Sequence, residues 1–302
     1  MGMAVAQMQI VYLIGANCTD GERLLRSLMR NTDSLSELGI RVPGPSRYRK
    51  LLRETILSLG NGVPSVETRD ILLDAIIDDQ DTTRLVLSNA TFLCQPSRIF
   101  EDGVFYGTAM AKVQALRALF PHDDIELHLA VRNPATFVPA VWDQVTEQIK
   151  SKDFGSFLDG LDPRMIRWSD MVTRIRAAAP DIPLTVWCNE DTVLIWGELL
   201  RTLAGVGADR AMIGEYDLLA TIMTPDGMQR FLSYMQTHPG QTEAQARRVV
   251  GAFLDKYAIP EAIEDEVDLP GWDAALIEAM TRGYEADVAR IAALDGVRFI
   301  TP

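Results

Sequence analysis

Apolar residues run without interruption over MQIVYLIG (Met8–Gly15), β-branched residues among them, and then give way to a loop. That pattern predicts a short strand buried on both faces. The period then changes. In ERLLRSLMRN (Glu22–Asn31), Leu24, Leu25 and Leu28 share one face and Arg23, Arg26 and Arg30 lie elsewhere, the pattern of an amphipathic helix. Further strands are expected at GIRVP (Gly39–Pro43), RLVLSN (Arg84–Asn89), IELHLAVR (Ile125–Arg132) and LTVWCN (Leu184–Asn189). Helical stretches over Ala109–Phe120, Thr136–Ser151 and Asp170–Ala179 lie between them. Such alternation indicates βαβ units, hence an α/β fold with a parallel β-sheet of about five strands flanked by helices. After Thr192 the pattern turns almost wholly helical, over Leu194–Ala204, Pro225–Met235, Glu243–Tyr257 and Trp272–Ala293. Gly205–Thr224 is the best boundary, dividing an α/β domain at 1–204 from a mostly helical C-terminal extension at 205–302 packed on it.

Composition narrows the class. A chain of 302 residues can bury a large core, and 47% hydrophobic with 24% charged residues is ordinary for a globular protein. No apolar run approaches the ~20 residues of a membrane-spanning helix. The start lacks a basic region and a small-residue cleavage site, so its apolar stretch reads as a strand and not as a signal peptide. Three cysteines, Cys18, Cys94 and Cys188, are too few and too odd for a disulfide framework, which implies a reducing, cytoplasmic setting. A net charge of −13 argues against nucleic acid and anionic membrane partners, both of which are bound by clustered Lys and Arg.

The charge is unevenly spread. Arg23, Arg26, Arg30, Arg41, Arg47, Arg49, Lys50 and Arg53 face only Asp33 and Glu37 in their region. Between Glu261 and Asp287 the chain is strongly acidic, with Arg282 as its one cation. A positive N-terminal region on a negative protein suits a small, confined anionic ligand, and equally a set of solvated helix faces.

Candidate chemistry gathers at the carboxyl ends of the expected strands, where open α/β sheets bind ligands. IGANCTDGERLL (Ile14–Leu25) is a glycine-bearing loop between a first strand and a first helix. Backbone N–H groups and the positive helix end cradle phosphate at such a place. LAVRNPATFVPAVWDQ (Leu129–Gln144) takes a strand through Arg and Asn-Pro into an amphipathic helix. RLVLSNATFL (Arg84–Leu93) and WCNEDT (Trp187–Thr192) complete the set. In order and spacing, over roughly Met8–Leu203, these segments resemble the sulfotransferase family, and the GIRVP strand adds to the likeness.

The resemblance implies a P-loop type of fold and transfer of a sulfuryl group from 3′-phosphoadenosine 5′-phosphosulfate to a hydroxyl, a glycan-type acceptor included, without a metal. It implies cofactor contacts from Gly15, Asn17, Cys18, Thr19, Gly21 and Arg23 in the loop, and a 3′-phosphate contact from Arg132. The chain departs from the family at three places. Cys18 stands where the family has lysine, with Asp20 as an extra residue and Glu22 and Arg23 in place of hydroxyls. Ala140 replaces the serine that follows the arginine, and Ala90 replaces the glutamate that many carbohydrate-type members use as a base. A cysteine cannot offset charge growing on a leaving phosphate, and Asp20 with Glu22 repel a polyanion. Arg23 could supply the missing charge.

Each residue also has a plainer reading. Gly15 and Gly21 suit a tight strand-to-helix turn. Cys18 is either a low-pKa nucleophile or an inert thiol, and Arg132 either grips phosphate or is tied into the fold. The phosphatase spacing fails because Leu24 occupies the arginine place. The Walker A pattern fails by one position and by Glu22 in place of lysine, so nucleotide hydrolysis is not expected. Asn189, Glu190 and Asp191 suit a helix cap, and His122, His128 and His238 show no metal-ligand spacing. Three functions remain open: an active sulfotransferase with a rearranged anion site built from Arg23, Arg132 and the Arg47–Arg53 patch, a non-catalytic sulfotransferase-like anion-binding or partner protein, and a different transferase or glycan-modifying protein on the same scaffold. No catalytic residue is assigned.

Overall fold

The computed structural model describes residues 7–60, 62, 64–77, 81–148, 153–263, 269 and 271–302. The last residues of the helix expected at Thr136–Ser151, and the acidic run Glu264–Asp268, lie outside them. Strand β1 (Gln9–Leu13) is paired on both edges. Its side chains alternate with the period of a strand: Ile10 and Tyr12 enter one core, Val11 and Leu13 the other.

From β1 the chain passes through α1 (Arg23–Met29) and α2 (Thr32–Ser36) to the very short β2 (Ile40–Arg41). Helices α3 (Pro45–Leu59) and α4 (Val66–Ile76) lead to β3 (Arg84–Ser88), and α5 (Ala109–Leu119) leads to β4 (Asp124–Val131). Next come α6 (Pro134–Gln148), α7 (Phe154–Leu158) and α8 (Trp168–Ala178), then β5 (Leu184–Cys188). After α9 (Thr192–Ala204) follow α10 (Leu219–Ile222), α11 (Pro225–Thr237), α12 (Glu243–Tyr257), α13 (Pro260–Ile263) and α14 (Ala274–Ala292). The chain closes on β6 (Val297–Ile300). Every strand pair is parallel, in the order β2-β3-β1-β4-β5-β6.

The expected α/β class with a parallel sheet of about five strands flanked by helices is therefore present; the sheet has six, the sixth supplied by the C-terminal segment. The segment VRFI was absorbed into a C-terminal part read as helical. It is four residues long, contains a charge, and lies at the sheet's edge with only Ile300 buried. An edge strand with one neighbour carries no continuous apolar run, which is the signal a buried parallel strand gives.

Helices cover both faces of the sheet. On one side Leu24, Leu25 and Leu28 of α1 pack with Trp196, Leu199, Leu200 and Leu203 of α9. On the other, α3 to α6, α8 and α14 enclose a core that includes Tyr48, Leu116, Phe137, Trp168 and Ile291. Helices α11 and α12 form a smaller cluster around fully buried Phe231. Their boundaries follow from local chemistry: Thr224 caps α11 ahead of Pro225, and Thr242 with Gln245 forms a capping box on α12.

A buried ion pair ties α4 to the starts of β1 and β4. Arg69 Nε donates to Asp123 Oδ2 (2.6 Å), and Asp123 Oδ1 accepts the Met8 N–H (3.0 Å). Both side chains are almost fully buried. Breaking a buried pair leaves an uncompensated charge and costs about 3–5 kcal/mol. Asp123→Ala should therefore lower the unfolding free energy by about that amount in urea titration; a change below about 1 kcal/mol would contradict this role.

At the amino edge of the sheet, buried Arg84 reaches Glu126 Oε2 (2.8 Å) and the Leu203 carbonyl (3.0 Å). Burial pushes the Glu126 carboxyl up, but hydrogen bonds from His128 and Arg84 outweigh it and hold the pKa at about 2. A carboxyl depressed in the folded state adds stability that is complete above its unfolded value, 4.5, and is lost as pH falls toward 2. Buried His128 is pushed below its usual value by desolvation, so its charging also opposes folding in acid. The melting temperature should fall more steeply over this acid range in the wild type than in Glu126→Gln.

Candidate functional site

The connection from β1 leaves toward β2 on one side, while that from β4 leaves toward β5 on the opposite side. A crevice therefore opens beyond the carboxyl ends of these neighbouring strands, the usual ligand position in an open α/β sheet. The loop after β1 enters this crevice. Ala16 N–H still bonds the Ala130 carbonyl (3.0 Å), which extends the ladder beside β4. Gly15 has φ +121°, and a Cβ there would lie 3.2 Å from the Ala90 carbonyl oxygen. Only glycine suits both conditions.

Most side chains in the loop bond within the protein. Asn17 is buried: its Oδ1 accepts from the Tyr106 hydroxyl (2.7 Å), and its N–H donates to the same oxygen (3.2 Å). The Thr19 hydroxyl donates to the Ala16 carbonyl (2.9 Å). The Cys18 thiol donates to Gln144 Oε1 (3.2 Å). Burial pushes this thiol up to about 11, with Arg132 opposing and Asp143 adding to the rise. It is protonated at neutral pH, and the inert reading of Cys18 prevails over the nucleophilic one.

The first turn of α1 is capped unusually. Glu22, at the N-cap, has φ +64° and makes no side-chain cap bond. The Asp20 carboxylate takes that role from inside the loop, accepting the Leu24 N–H at 2.9 Å. Burial pushes the Asp20 carboxyl up, while the N–H groups of Leu24 and Glu22 pull it down. A carboxylate of the chain thus sits where a helix start attracts an anion.

Arg132 lies behind this loop. Its Nη1 donates to the Cys18 carbonyl (2.7 Å) and its Nε to Thr136 Oγ1 (3.0 Å). Its own carbonyl accepts from the Trp168 indole N–H (2.8 Å). The guanidinium holds the loop backbone in place.

Three of the cations of the crevice come from α3. Strand β2 pairs only with Arg84 and Leu85, so Ser88 at the far end of β3 has no strand partner on that side. Buried Tyr48 fills the place: its hydroxyl donates to the Ser88 carbonyl (2.6 Å) and accepts the Ser88 N–H (2.9 Å). Neighbouring Arg49 donates through Nε to the same carbonyl (3.0 Å). The start of α3 is thereby clamped to the sheet, with Arg49, Lys50 and Arg53 toward the loop.

Together these elements enclose a cavity of about 810 Å³. Asn17, Cys18, Thr19, Asp20, Gly21 and Glu22 form its floor. Leu52, Ile56, Phe92 and Leu116 make an apolar wall, and Arg49, Lys50, Arg53 and Lys112 supply positive charge.

Four of the seven expected site residues, Asn17, Cys18, Thr19 and Gly21, therefore line one cavity. Gly15 forms the turn behind it, and exposed Arg23 and loop-bound Arg132 are not among its lining residues. Lys112, Gln144 and the apolar wall were not foreseen. The Arg47–Arg53 patch expected in a rearranged anion site supplies Arg49, Lys50 and Arg53 to this cavity, on a helix whose signal is Pro45 at a first turn followed by Tyr48, Leu51, Leu52 and Leu59. Among the described residues no group of three His, Cys, Asp or Glu is placed to hold a metal ion. No described helix is long and apolar enough to cross a membrane.

The chain matches no protein-family model and no curated protein. Among solved structures it is similar to a sulfotransferase from Alicyclobacillus acidocaldarius, at 13% identity and a TM-score of 0.38. That similarity covers 89% of this chain and 99% of the other. At so low an overlap it adds nothing to what the strand order already shows.

Removing the hydroxyl that clamps α3 tests the geometry. Tyr48→Phe leaves the buried Ser88 N–H without a partner, a loss of about 1–3 kcal/mol. Chemical denaturation should register it, and a variant as stable as the wild type would contradict the clamp.

Proposed function

We propose that this chain is a sulfotransferase-like protein that binds an anionic ligand in the carboxyl-edge cavity and does not transfer sulfuryl groups from 3′-phosphoadenosine 5′-phosphosulfate. The Asp20 carboxylate at the start of α1 carries this reading. In the family it resembles, the loop after the first strand receives the 5′-phosphosulfate. Here the same place is taken by an acidic side chain of the protein, its pKa raised by burial, beside a thiol where the family has lysine. Arg132, which the resemblance assigns to the 3′-phosphate, is bonded to the loop carbonyl. The residues present do not fit the sulfuryl donor.

The cations of α3 and Lys112 keep the cavity suited to an anion. They also favour a second reading, sulfuryl transfer from a displaced site in which Arg49, Lys50 and Arg53 replace the missing lysine. The general base remains missing in that case, because Ala90 stands at its position and nothing titratable follows before Leu93. A reducing, cytoplasmic setting is supported by the three free cysteines, of which Cys94 and Cys188 are buried.

Calorimetric titration and a turnover assay separate the two readings. Without an electrostatic donor and a base, rates fall by ~10²–10³ and ~10²–10⁴ respectively. The wild type should bind 3′-phosphoadenosine 5′-phosphate or inorganic phosphate, yet show no transfer of labelled sulfate above background to sugar or phenol acceptors. Robust turnover by the unmodified protein would overturn the non-catalytic reading. Absence of binding by either anion would overturn the cavity as an anion site.

A further inference from the structure

We propose that Arg49 receives the anionic group of the ligand, and that Glu22 is a built-in competitor which the ligand must displace. The inference rests on the cavity being an anion site. Arginine offers five N–H donors in a fixed fork. In Arg49, Nε is committed to the Ser88 carbonyl (3.0 Å) and Nη1 to Glu22 Oε1 (2.5 Å). Nη2 is buried yet has no hydrogen-bond partner. An orphaned donor beside an ion pair marks a guanidinium whose capacity is only partly used.

Position sets Arg49 apart from the other cations of the cavity. Lys50 and Arg53, one and four residues on, are exposed, and Lys50 reaches only Glu54 at 3.8 Å along its own helix. Lys112 is exposed on α5. Arg49 alone among these four is anchored to the sheet, through its own Nε and through the Tyr48 hydroxyl one residue before it. Its fork is therefore pre-aimed, and little side-chain entropy is lost when an anion docks.

Glu22 comes from the opposite wall. It is the last residue of the loop before α1, and its side chain is 44% exposed, so it can turn out to solvent. When it does, Nη1 and Nη2 present the parallel pair of donors that a phosphate, sulfate or carboxylate accepts in bidentate fashion. While Glu22 holds Arg49, the binding-competent form is only a fraction of the protein. Apparent affinity falls by that fraction. Departure of Glu22 also breaks this ion pair between the end of the loop and α3.

The test is calorimetric titration of inorganic phosphate into the wild type, Glu22→Gln and Arg49→Lys, with thermal unfolding of each to confirm the fold. Glu22→Gln keeps the shape and removes the competing charge, and should bind about 10-fold tighter. Arg49→Lys keeps a charge but loses the fork, and should bind at least about 10-fold weaker. Phosphate binding that appears only in Glu22→Gln also supports the proposal. If the wild type binds and Glu22→Gln is unchanged, or Arg49→Lys binds as tightly, the proposal falls while the anion-site reading stands. If neither the wild type nor Glu22→Gln binds phosphate, the proposal falls, and the anion-site reading falls with it only when 3′-phosphoadenosine 5′-phosphate also fails to bind.

Discussion

Strand β1 is paired on both edges and covered on both faces, and this enclosure governs much of what surrounds it. A chain leaving such a strand has no room to turn gradually. It continues beside β4 as far as Ala16 and turns at Gly15 in a conformation that other residues rarely adopt. The loop is thereby delivered to the carboxyl edge of the sheet, against the turn that follows β3. Its first residues are held from behind by a tightly packed aromatic group. The Tyr106 hydroxyl grips Asn17, and Phe105, Phe137 and Trp168 meet edge to face with ring centres 4.8–6.0 Å apart.

Within that frame, polar groups of the loop are bonded by the protein itself, from inside the loop and from the elements around it. A phosphate-gripping loop leaves backbone N–H groups and cations unsatisfied until ligand arrives. Here Asp20 accepts the Leu24 N–H, Thr19 bonds the Ala16 carbonyl, and Arg132 bonds the Cys18 carbonyl. The positive side of the crevice comes instead from α3, whose placement follows from the shortness of β2. Two residues of pairing leave the end of β3 bare, and Tyr48 with Arg49 satisfies its last peptide groups. A deficit of sheet hydrogen bonds thus decides where the cations of the site stand.

The C-terminal third both extends and closes the molecule. Helices α11 and α12 build a separate cluster around Phe231, while α14 returns to pack on α6 and α8 and hands the chain to β6. Asp287 of α14 is buried and accepts the Ser169 N–H at the start of α8 (3.1 Å). Asn133, which follows β4, donates to Thr281 of α14 (2.9 Å), so this late helix also braces the segment that carries Arg132.

By itself the sequence determined the elements whose side chains repeat with a clear period. The buried runs of β1, β3, β4 and β5, the amphipathic α1, and the glycine turn after β1 were all legible, because burial and backbone handedness act on neighbouring residues. Asn17, Cys18, Thr19 and Gly21, expected from the resemblance of one short loop, line the crevice together because they are near neighbours in the chain. Tertiary structure decided the rest. Edge strand β6 has too little apolar surface to announce itself, and Arg49 is fixed beside the cavity only once Tyr48 meets Ser88, forty residues away in the chain. Whether Arg132 and Asp20 face a ligand or the protein's own backbone depends on which polar groups folding leaves unpaired, and a linear pattern does not contain that information.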